Sequence, residues 1–396
     1  MIVVHRARLG APLLALGSVL VIAWAAAVAP AAELRRLADE PGERVVAELG
    51  DVRAARALAV LRPAANSVSD GPGPALALAR AELALSRKHA DPRHLGYAEA
   101  ALAPWSRPDG PSEAKLLRAV IAQARHDFTG AAQLLDELLA AGPGDVEALS
   151  TRAAVSLVVG EFDVVARCCA ALSALAAWPH DVACEAQRLS RRGEHGRAAR
   201  LLEAAYAAAR RPSQRAQLAS LLAEVAFWAG DDARSEQAAR EALAWDPADR
   251  YTRALLADLW LERGELLRVR SLLRGHTADD ALLLRDALAA RGLGEPGAEP
   301  LLAGLAARDA QNQQRGDLSH GREALRLALA RGDAGPRLVE RARANFASQR
   351  EPWDVRLLAA VAERAGDAGA LAAARAWLAQ TGFDSPRVRL APGAIP

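Results

Sequence analysis

The residue types that most often carry out chemistry are few and scattered in this chain of 396 residues. It has three cysteines and eight histidines, and no HExxH, G-x-S-x-G or Walker A motif occurs. Carboxylates are abundant at helical spacing from arginines, but such pairs are typical of solvated salt bridges. We therefore expect a non-catalytic protein with no cofactor and no metal ion.

The cysteines are Cys168, Cys169 and Cys184, which is an odd number. Adjacent cysteines rarely pair, whereas Cys168 or Cys169 could reach Cys184 if two helices run antiparallel across Pro179. One interpretation is a single disulfide, for which we name Cys169 and Cys184. The other is three buried thiols that act as small hydrophobic side chains. A zinc site is disfavoured because no second ligand pair flanks them at zinc spacing.

The composition of the chain favours helices and disfavours nucleic acid as a partner. Hydrophobic residues make up 52% of the chain and aromatic residues only 4%, and the strong helix formers Ala, Leu, Arg and Glu are abundant. The 50 basic residues are nearly balanced by 48 acidic ones, and there is no basic run. The sequence therefore lacks the electrostatic pattern that binds phosphate backbones.

The N-terminal segment has the pattern of a targeting sequence. Arg6 and Arg8 precede an uncharged apolar run from Leu9 to Val28, and small residues follow up to Ala31. Residues 1–31 are predicted to be a signal peptide or, since about 20 apolar residues span a bilayer, an uncleaved membrane anchor. A buried core helix of a cytosolic protein is the third interpretation. The first two predict export to the periplasm or cell envelope, with membrane contact only through this segment if it stays uncleaved.

A turn signal, Gly followed by Asp or Glu, recurs along the chain. Its successive spacings are 33, 37, 34, 68 and 34, and Gly294-Glu295 lies within the double interval. Self-similarity at this period predicts a stack of helix-turn-helix units. The turns are Gly160-Glu161, Gly193-Glu194, Gly230-Asp231, Gly264-Glu265, Gly332-Asp333 and Gly366-Asp367.

Small residues stand at a fixed distance before these turns. Alanine lies seven residues before five of the six, at 153, 186, 223, 257 and 359, and Ala119 precedes His126 in the same way; Leu325 departs. The segment from Gly230 to Pro247, GDDARSEQAAREALAWDP, matches the second helix and closing proline of the tetratricopeptide repeat family, which the chain resembles. The resemblance implies an all-α fold, a right-handed α-solenoid of about nine to ten helical hairpins.

This resemblance divides the chain into four parts. The segment 1–31 is the signal peptide or anchor, 33–111 holds degenerate N-terminal hairpins, and 112–383 is the main solenoid. The Pro-rich tail, 384–396, is expected to be disordered.

In the resembled family, the first helices of the hairpins line a concave groove that binds protein segments. Counting back thirteen, ten, six and three residues from each turn gives the residues that the resemblance implies for this groove. Three arginines and a tryptophan near the C-terminus could clamp a peptide that carries a carboxylate. The candidates are Glu147, Ser150, His180, Gln187, Gln217, Glu224, Phe227, Tyr251, Asp258, Arg322, Arg326, Trp353, Arg356 and Glu363.

The function expected from these features is a non-catalytic scaffold that binds protein partners in the periplasm or cell envelope. The alternative is a membrane-anchored structural adaptor that spaces an envelope complex from the bilayer. A third hypothesis is an enzyme or small-molecule carrier with a site in the stretch 292–314, where the period is displaced.

Overall fold

The computed structural model describes residues 52–65, 67–276, 279–314 and 321–388. The predicted signal peptide or anchor, 1–31, lies outside these residues. The chain divides into two units, Met1–Val52 and Arg53–Pro396, and the residues described after Val52 belong to the second. Of the helices within the described ranges, none combines the length and the apolar character needed to cross a membrane.

The described residues contain nineteen α-helices and no strand. The first ten are α1 (Val52–Ala65), α2 (Gly73–His89), α3 (Arg93–Leu102), α4 (Ser112–Ala124), α5 (Phe128–Ala141), α6 (Val146–Val159), α7 (Phe162–Ala174), α8 (His180–Ser190), α9 (His195–Ala208) and α10 (Pro212–Ala229). The other nine are α11 (Asp232–Trp245), α12 (Arg250–Glu262), α13 (Leu266–Leu273), α14 (Asp280–Gly292), α15 (Ala298–Gln314), α16 (Gly321–Arg331), α17 (Pro336–Ser348), α18 (Pro352–Ala365) and α19 (Ala368–Thr381).

Helices α2 to α19 form nine antiparallel hairpins, each of which turns at a residue with positive φ. Seven of these residues are glycines, among them Gly294, which supplies the turn in the double interval of the sequence period. Ala90 and His126 turn the first two hairpins in the same left-handed conformation, which costs a side chain about 1 kcal/mol more than glycine. The turn period therefore marks the hairpins, as predicted.

Successive hairpins stack side by side into an α-solenoid. The second helix of each hairpin packs on the first helix of the next, and each first helix also packs on the following first helix, from α2 through α18. The alanines seven residues before the turns are buried where these first helices approach, as Ala186, Ala223 and Ala257 illustrate at 0% exposure. Leu325, the departure from this pattern, is buried as well. The predicted all-α solenoid is confirmed.

The largest apolar cluster joins hairpins that are distant in sequence. It contains Trp228 at the end of α10 together with Val355 and Leu358 of α18, and Phe383 just after α19. The apolar clusters of α2 to α7 instead stay within neighbouring hairpins, with Cys184 of α8 added to the third. The C-terminal hairpins therefore lie against the central ones and share a core with them.

The first residues of the C-terminal tail are ordered, contrary to the expectation of a disordered segment from 384. Ser385 and Val388 are buried, and Arg387 is half-buried. These residues pack on the central hairpins, which are distant in sequence, so the composition of the tail alone could not predict the contacts. The remainder of the predicted tail lies outside the described residues.

Candidate partner-binding groove

All fourteen residues predicted for the groove lie on first helices, from α6 to α18. They fall into two groups that differ in exposure and in contacts. The group near the starts of α6, α8, α10 and α12, here called the open half, comprises Glu147, Ser150, His180, Gln217 and Tyr251. The group called the sealed half comprises Glu224, Phe227, Asp258, Arg322, Arg326, Trp353 and Arg356. Gln187 and Glu363 are half-buried and belong to neither group.

The open half is accessible and continuous across neighbouring hairpins. His180, Gln217 and Tyr251 are exposed, with Tyr251 at 47%. The hydroxyl of Ser150 lies 3.3 Å from Nδ1 of His180, so α6 and α8 meet on this face. The carboxylate of Glu147 lies 3.6 Å from the guanidinium of Arg80, which extends the same strip towards α2. Successive first helices thus present a polar, partly exposed surface.

A second carboxylate shares Arg80 with Glu147. Arg80 Nε donates to Glu113 on α4 at 2.8 Å, and the side chains of Glu113 and Arg80 are 44% and 35% exposed. Burial lowers the pKa of Arg80, but the two carboxylates outweigh it and hold the pKa above the ordinary value. At this end of the open half, two carboxylates, those of Glu113 and Glu147, share one guanidinium, so negative charge is in excess.

The sealed half is built around a buried carboxylate, Asp258, at the middle of α12. It accepts hydrogen bonds from Arg285 of α14 at 2.7 Å and from Arg326 of α16 at 2.5 Å. Burial raises the pKa of Asp258, but the two guanidinium groups more than offset this and leave it below its usual range. Arg326, which was predicted to clamp a partner's carboxylate, is already bound to a carboxylate of its own chain.

A second charged group joins α8, α10, α16 and the start of α18. Glu351 lies 3.0 Å from Arg191 and 2.8 Å from Arg322, and Arg191 also contacts Glu224 at 3.3 Å. Burial raises the pKa of Glu351, while Arg322 and Arg191 lower it by more, so the carboxylate is held ionised. Arg322 also binds Asp354, whose pKa burial raises despite that partner.

Tyr251 borders this charged group from the open half. Burial and then the charges of Glu224 and Glu351 raise the pKa of its phenol well above the ordinary value. Its ring is nevertheless accessible, because the residue is 47% exposed. Tyr251 therefore stands at the boundary between the two halves, with its hydroxyl towards the carboxylates.

Aromatic stacking holds α18 against the end of α10. The ring of Trp353 is stacked on Phe227 with centroids 5.5 Å apart and meets Trp228 edge-on at 5.2 Å. Arg326 and Arg356 cover the same ring at 4.9 Å and 5.2 Å. Arg356 also donates to Glu262 at the end of α12 at 2.5 Å. Trp353 and Arg356 are thus engaged within the chain, and their binding to a partner stays a prediction.

The segment that starts α18 crosses the ends of five first helices in order. Residues 349, 350, 351, 353 and 356 contact the ends of α4, α6, α8, α10 and α12 in turn. The repeat pattern does not predict this register, although the Glu351-Pro352 pair is a local signal for the start of α18. The contacting pairs are Gln349 with His126, the backbone of Arg350 with Val158, Glu351 with Arg191, Trp353 with Trp228, and Arg356 with Glu262.

The structure links Cys169 of α7 to Cys184 of α8 by a disulfide, with Cα atoms 5.4 Å apart. Both residues are buried and belong to the apolar cluster of these hairpins. Cys168 is a buried free thiol, and burial raises its pKa. The bond ties together two hairpins that border the open half.

Two clefts flank α15, in the stretch where a small-molecule site was considered. The larger, of about 100 Å³, lies between α15, α16 and α17 and includes Asp309, which is paired with Arg341 at 2.9 Å. The other, of about 40 Å³, lies between α14, α15 and α16 and includes Asp280 and Glu323. Within the described ranges, no group of three metal-ligating side chains is arranged to hold a metal ion.

No family model and no curated protein matches the chain. Among solved structures, it is similar to the human IFIT1 dimer with PPP-AAAA, at 13% identity and a TM-score of 0.44 over 83% of this chain and 86% of that one. It is also similar to the TPR domain of P58(IPK), at 14% identity and a TM-score of 0.20 over 84% of this chain and 95% of that one. Both TM-scores are below 0.5, and the account of the fold stands on the helix packing described above.

Proposed function

We propose that this chain, with hairpins stacked in the manner of tetratricopeptide repeats, is a non-catalytic scaffold that binds segments of partner proteins along the open half of its groove. The observation that carries the proposal is the difference in exposure between the two halves. Side chains from four successive first helices, at Glu147, His180, Gln217 and Tyr251, remain accessible on one face, while the sealed half is already filled by the chain itself. An accessible strip that crosses several repeats suits an extended segment.

The open half favours a particular partner chemistry. Glu113 and Glu147 give one end a surplus of carboxylate, while His180 and Gln217 supply hydrogen-bonding groups further along. Tyr251 adds an accessible aromatic ring, a residue type enriched at binding hot spots. The proposed partner segment is therefore polar with basic side chains. The arginines expected to hold an acidic peptide are occupied by Asp258, Glu351 and other carboxylates of this chain.

We also propose that the scaffold works in the periplasm or cell envelope. The apolar N-terminal run after Arg6 and Arg8 supports export, and so does the disulfide between Cys169 and Cys184, since such bonds persist in oxidising compartments. N-terminal sequencing of the mature protein separates the two forms of this proposal. A start at Ala32 indicates a released scaffold, whereas an intact N-terminus indicates an anchored adaptor.

The partner-binding proposal is tested by site-specific photocrosslinking in the native cell envelope. A crosslinking residue is placed at Gln217, in the open half, and in a matched variant at Gln237, an exposed glutamine on the second helix α11. The expected result is a discrete protein adduct from position 217 and none from position 237. If crosslinkers at 180, 217 and 251 all give the same background as position 237, the open half is not a partner site.

A further inference from the structure

A seven-residue segment after α19 runs across the turns of the central hairpins. This strap, Gly382–Val388, follows the helix cap at Gly382 and passes the turns at Gly193 and Gly230. A Cβ atom added to Gly193 would lie 2.7 Å from the carbonyl oxygen of Gly382, and one added to Gly230 would lie 2.5 Å from Cγ of Pro386. The two turn glycines therefore form the floor of a channel that the strap fills.

An aromatic pocket holds the first side chain of the strap. Phe383 is only 4% exposed and meets His195 and Trp228 edge-on, at centroid distances of 5.4 Å and 5.8 Å. Trp377 of α19 lies 5.7 Å away. Two of these three rings, those of His195 in α9 and Trp228 in α10, belong to the central hairpins and are far from the strap in sequence.

Backbone groups fix the direction of the strap in the channel. His195 Nε2 lies 2.8 Å from the carbonyl oxygen of Asp384 and hydrogen-bonds to it. The hydroxyl of Ser385 donates to the carbonyl oxygen of Trp228 at 2.6 Å, which satisfies an acceptor at the end of α10. The strap is not helical here: its last four residues form a turn, in which Val388 N–H donates to the carbonyl oxygen of Ser385 at 3.1 Å.

Two carboxylates receive the guanidinium of the strap. Arg387 donates to Asp232 at 2.5 Å and lies 3.1 Å from Glu262, and its guanidinium carbon is 4.2 Å from the centre of the Phe227 ring. The side chain of Asp232 remains 39% exposed, so this end of the channel stays open to water. The channel thus combines an aromatic pocket, the His195 imidazole, one backbone acceptor at Trp228 and an acidic end.

We propose that this channel is a second peptide-binding site, which the strap occupies as an internal ligand and which a partner protein can take over. The external ligand is a non-helical segment that carries an aromatic residue and, four positions later, an arginine in a turn like that of the strap. This inference rests on the proposed function in one respect, that partners of the scaffold are proteins. The site itself is distinct from the open half, because it lies over the turns of the central hairpins and not on the starts of the first helices.

The test uses the full chain with a weakened strap. Ser385→Ala and Arg387→Ala are combined, and binding of a fluorescent peptide with the sequence from Gln380 to Ala391 is measured by anisotropy. The weakened chain is expected to bind the peptide about tenfold or more tightly than the wild-type chain does, because its own strap competes less. A peptide with alanine in place of Arg387 is expected to lose most of this binding.

Two controls separate displacement of the strap from damage to the fold. Arg375→Ala on α19 removes the same charge from an exposed position and is expected to leave peptide binding at the wild-type level. Hydrogen exchange of the wild-type chain is expected to show the amides of 383–388 exchanging through local opening, faster than those of α10 and α11.

The proposal is overturned if the weakened chain, folded by circular dichroism, binds the peptide no better than wild type does. It is also overturned if the strap amides exchange only together with the core helices, since a segment that opens only on global unfolding cannot be displaced. Neither result changes the outcome expected for the crosslinker at position 217, so failure of this inference is distinguishable from failure of the proposed function.

Discussion

The open and sealed halves of the groove both lie on the first helices of the hairpins, yet their side chains differ in exposure and in contacts. Near the starts of the first helices, His180 and Gln217 remain exposed. Near the middle and the ends, Asp258 is 2% exposed and Phe227 is fully buried under α18 and the strap. The repeat pattern therefore specifies which side chains face the groove, but contacts between distant hairpins decide which of them stay available.

The sealed half differs from the open half in the charges that it buries. Asp258, Arg285, Arg322 and Glu351 are matched within the chain, so removing one partner leaves an uncompensated charge in a poorly solvated place. Charged side chains of the open half, such as Glu147, keep access to water. Equivalent substitutions should thus have very different energetic effects in the two halves.

The largest effect is expected for Asp258→Ala. This change leaves Arg285 and Arg326 buried without their shared carboxylate and should lower the free energy of unfolding by about 3–5 kcal/mol. Urea denaturation followed by circular dichroism measures the change. Glu340→Ala removes an exposed carboxylate from α17 and serves as the matched control, with an expected change within about 0.5 kcal/mol. Equal effects of the two substitutions would contradict the division into halves.

Trp353→Ala should have the next largest effect, a loss of about 3 kcal/mol, because it removes the ring that joins α18 to Phe227 and Trp228. The measurement is the same denaturation series. Trp178→Ala is the matched control, since Trp178 lies between hairpins and is 40% exposed; it should cost less than about 1 kcal/mol. A small effect at Trp353 would show that the sealed half is held by other contacts.

These expectations also mark what the sequence could and could not predict. The turn at Gly230 requires a positive φ, and Ala223, seven residues earlier, is fully buried between helices, so each repeat carries its own signal for a hairpin and for close packing. Because every unit repeats these local signals, the all-α solenoid could be read from their period. A disulfide between Cys169 and Cys184 could also be considered from the sequence, because it joins two helices that follow each other along the chain.

The long-range contacts of the sealed half and of the strap have no comparable signal in the sequence. The contact between Arg356 and Glu262 spans 94 residues, and that between Ser385 and the end of α10 spans 157. These pairs depend on how the small rotations between hairpins add up along the stack, which no single repeat encodes. For this reason the sequence nominated Arg322, Arg326 and Arg356 as free ligands, although the fold brings carboxylates to each of them.

A smaller effect is expected from acid, through His195 under the strap. Burial lowers the pKa of its imidazole, and the charge of Arg191 adds to this, while the carbonyl of Asp384 opposes it. The imidazole of His195 takes up a proton near pH 6.5 in the unfolded chain and only at lower pH in the folded chain. Its contribution to the free energy of unfolding is therefore complete above pH 6.5. That contribution should be lost as the pH falls from 6.5 towards the lowered pKa.

Unfolding at pH 7.5 and 5.5 measures this dependence, with His195→Gln as the comparison. The substituted chain should lose less stability between the two pH values than the wild type does. A residual slope is expected from His276, whose pKa burial also lowers. An unchanged difference in the His195→Gln chain would exclude His195 as the source of the pH dependence.

The smallest effect on stability is expected for His180→Ala combined with Gln217→Ala in the open half. Both side chains are exposed, and neither satisfies a buried group, so the free energy of unfolding should change by no more than about 0.5 kcal/mol. The same double substitution should reduce capture of a partner by a crosslinker at Tyr251, because binding along an extended surface depends on side chains from several repeats. Loss of capture without loss of stability would separate recognition from folding within a single groove. Loss of both would mean that the open half, like the sealed one, is used to hold the chain together.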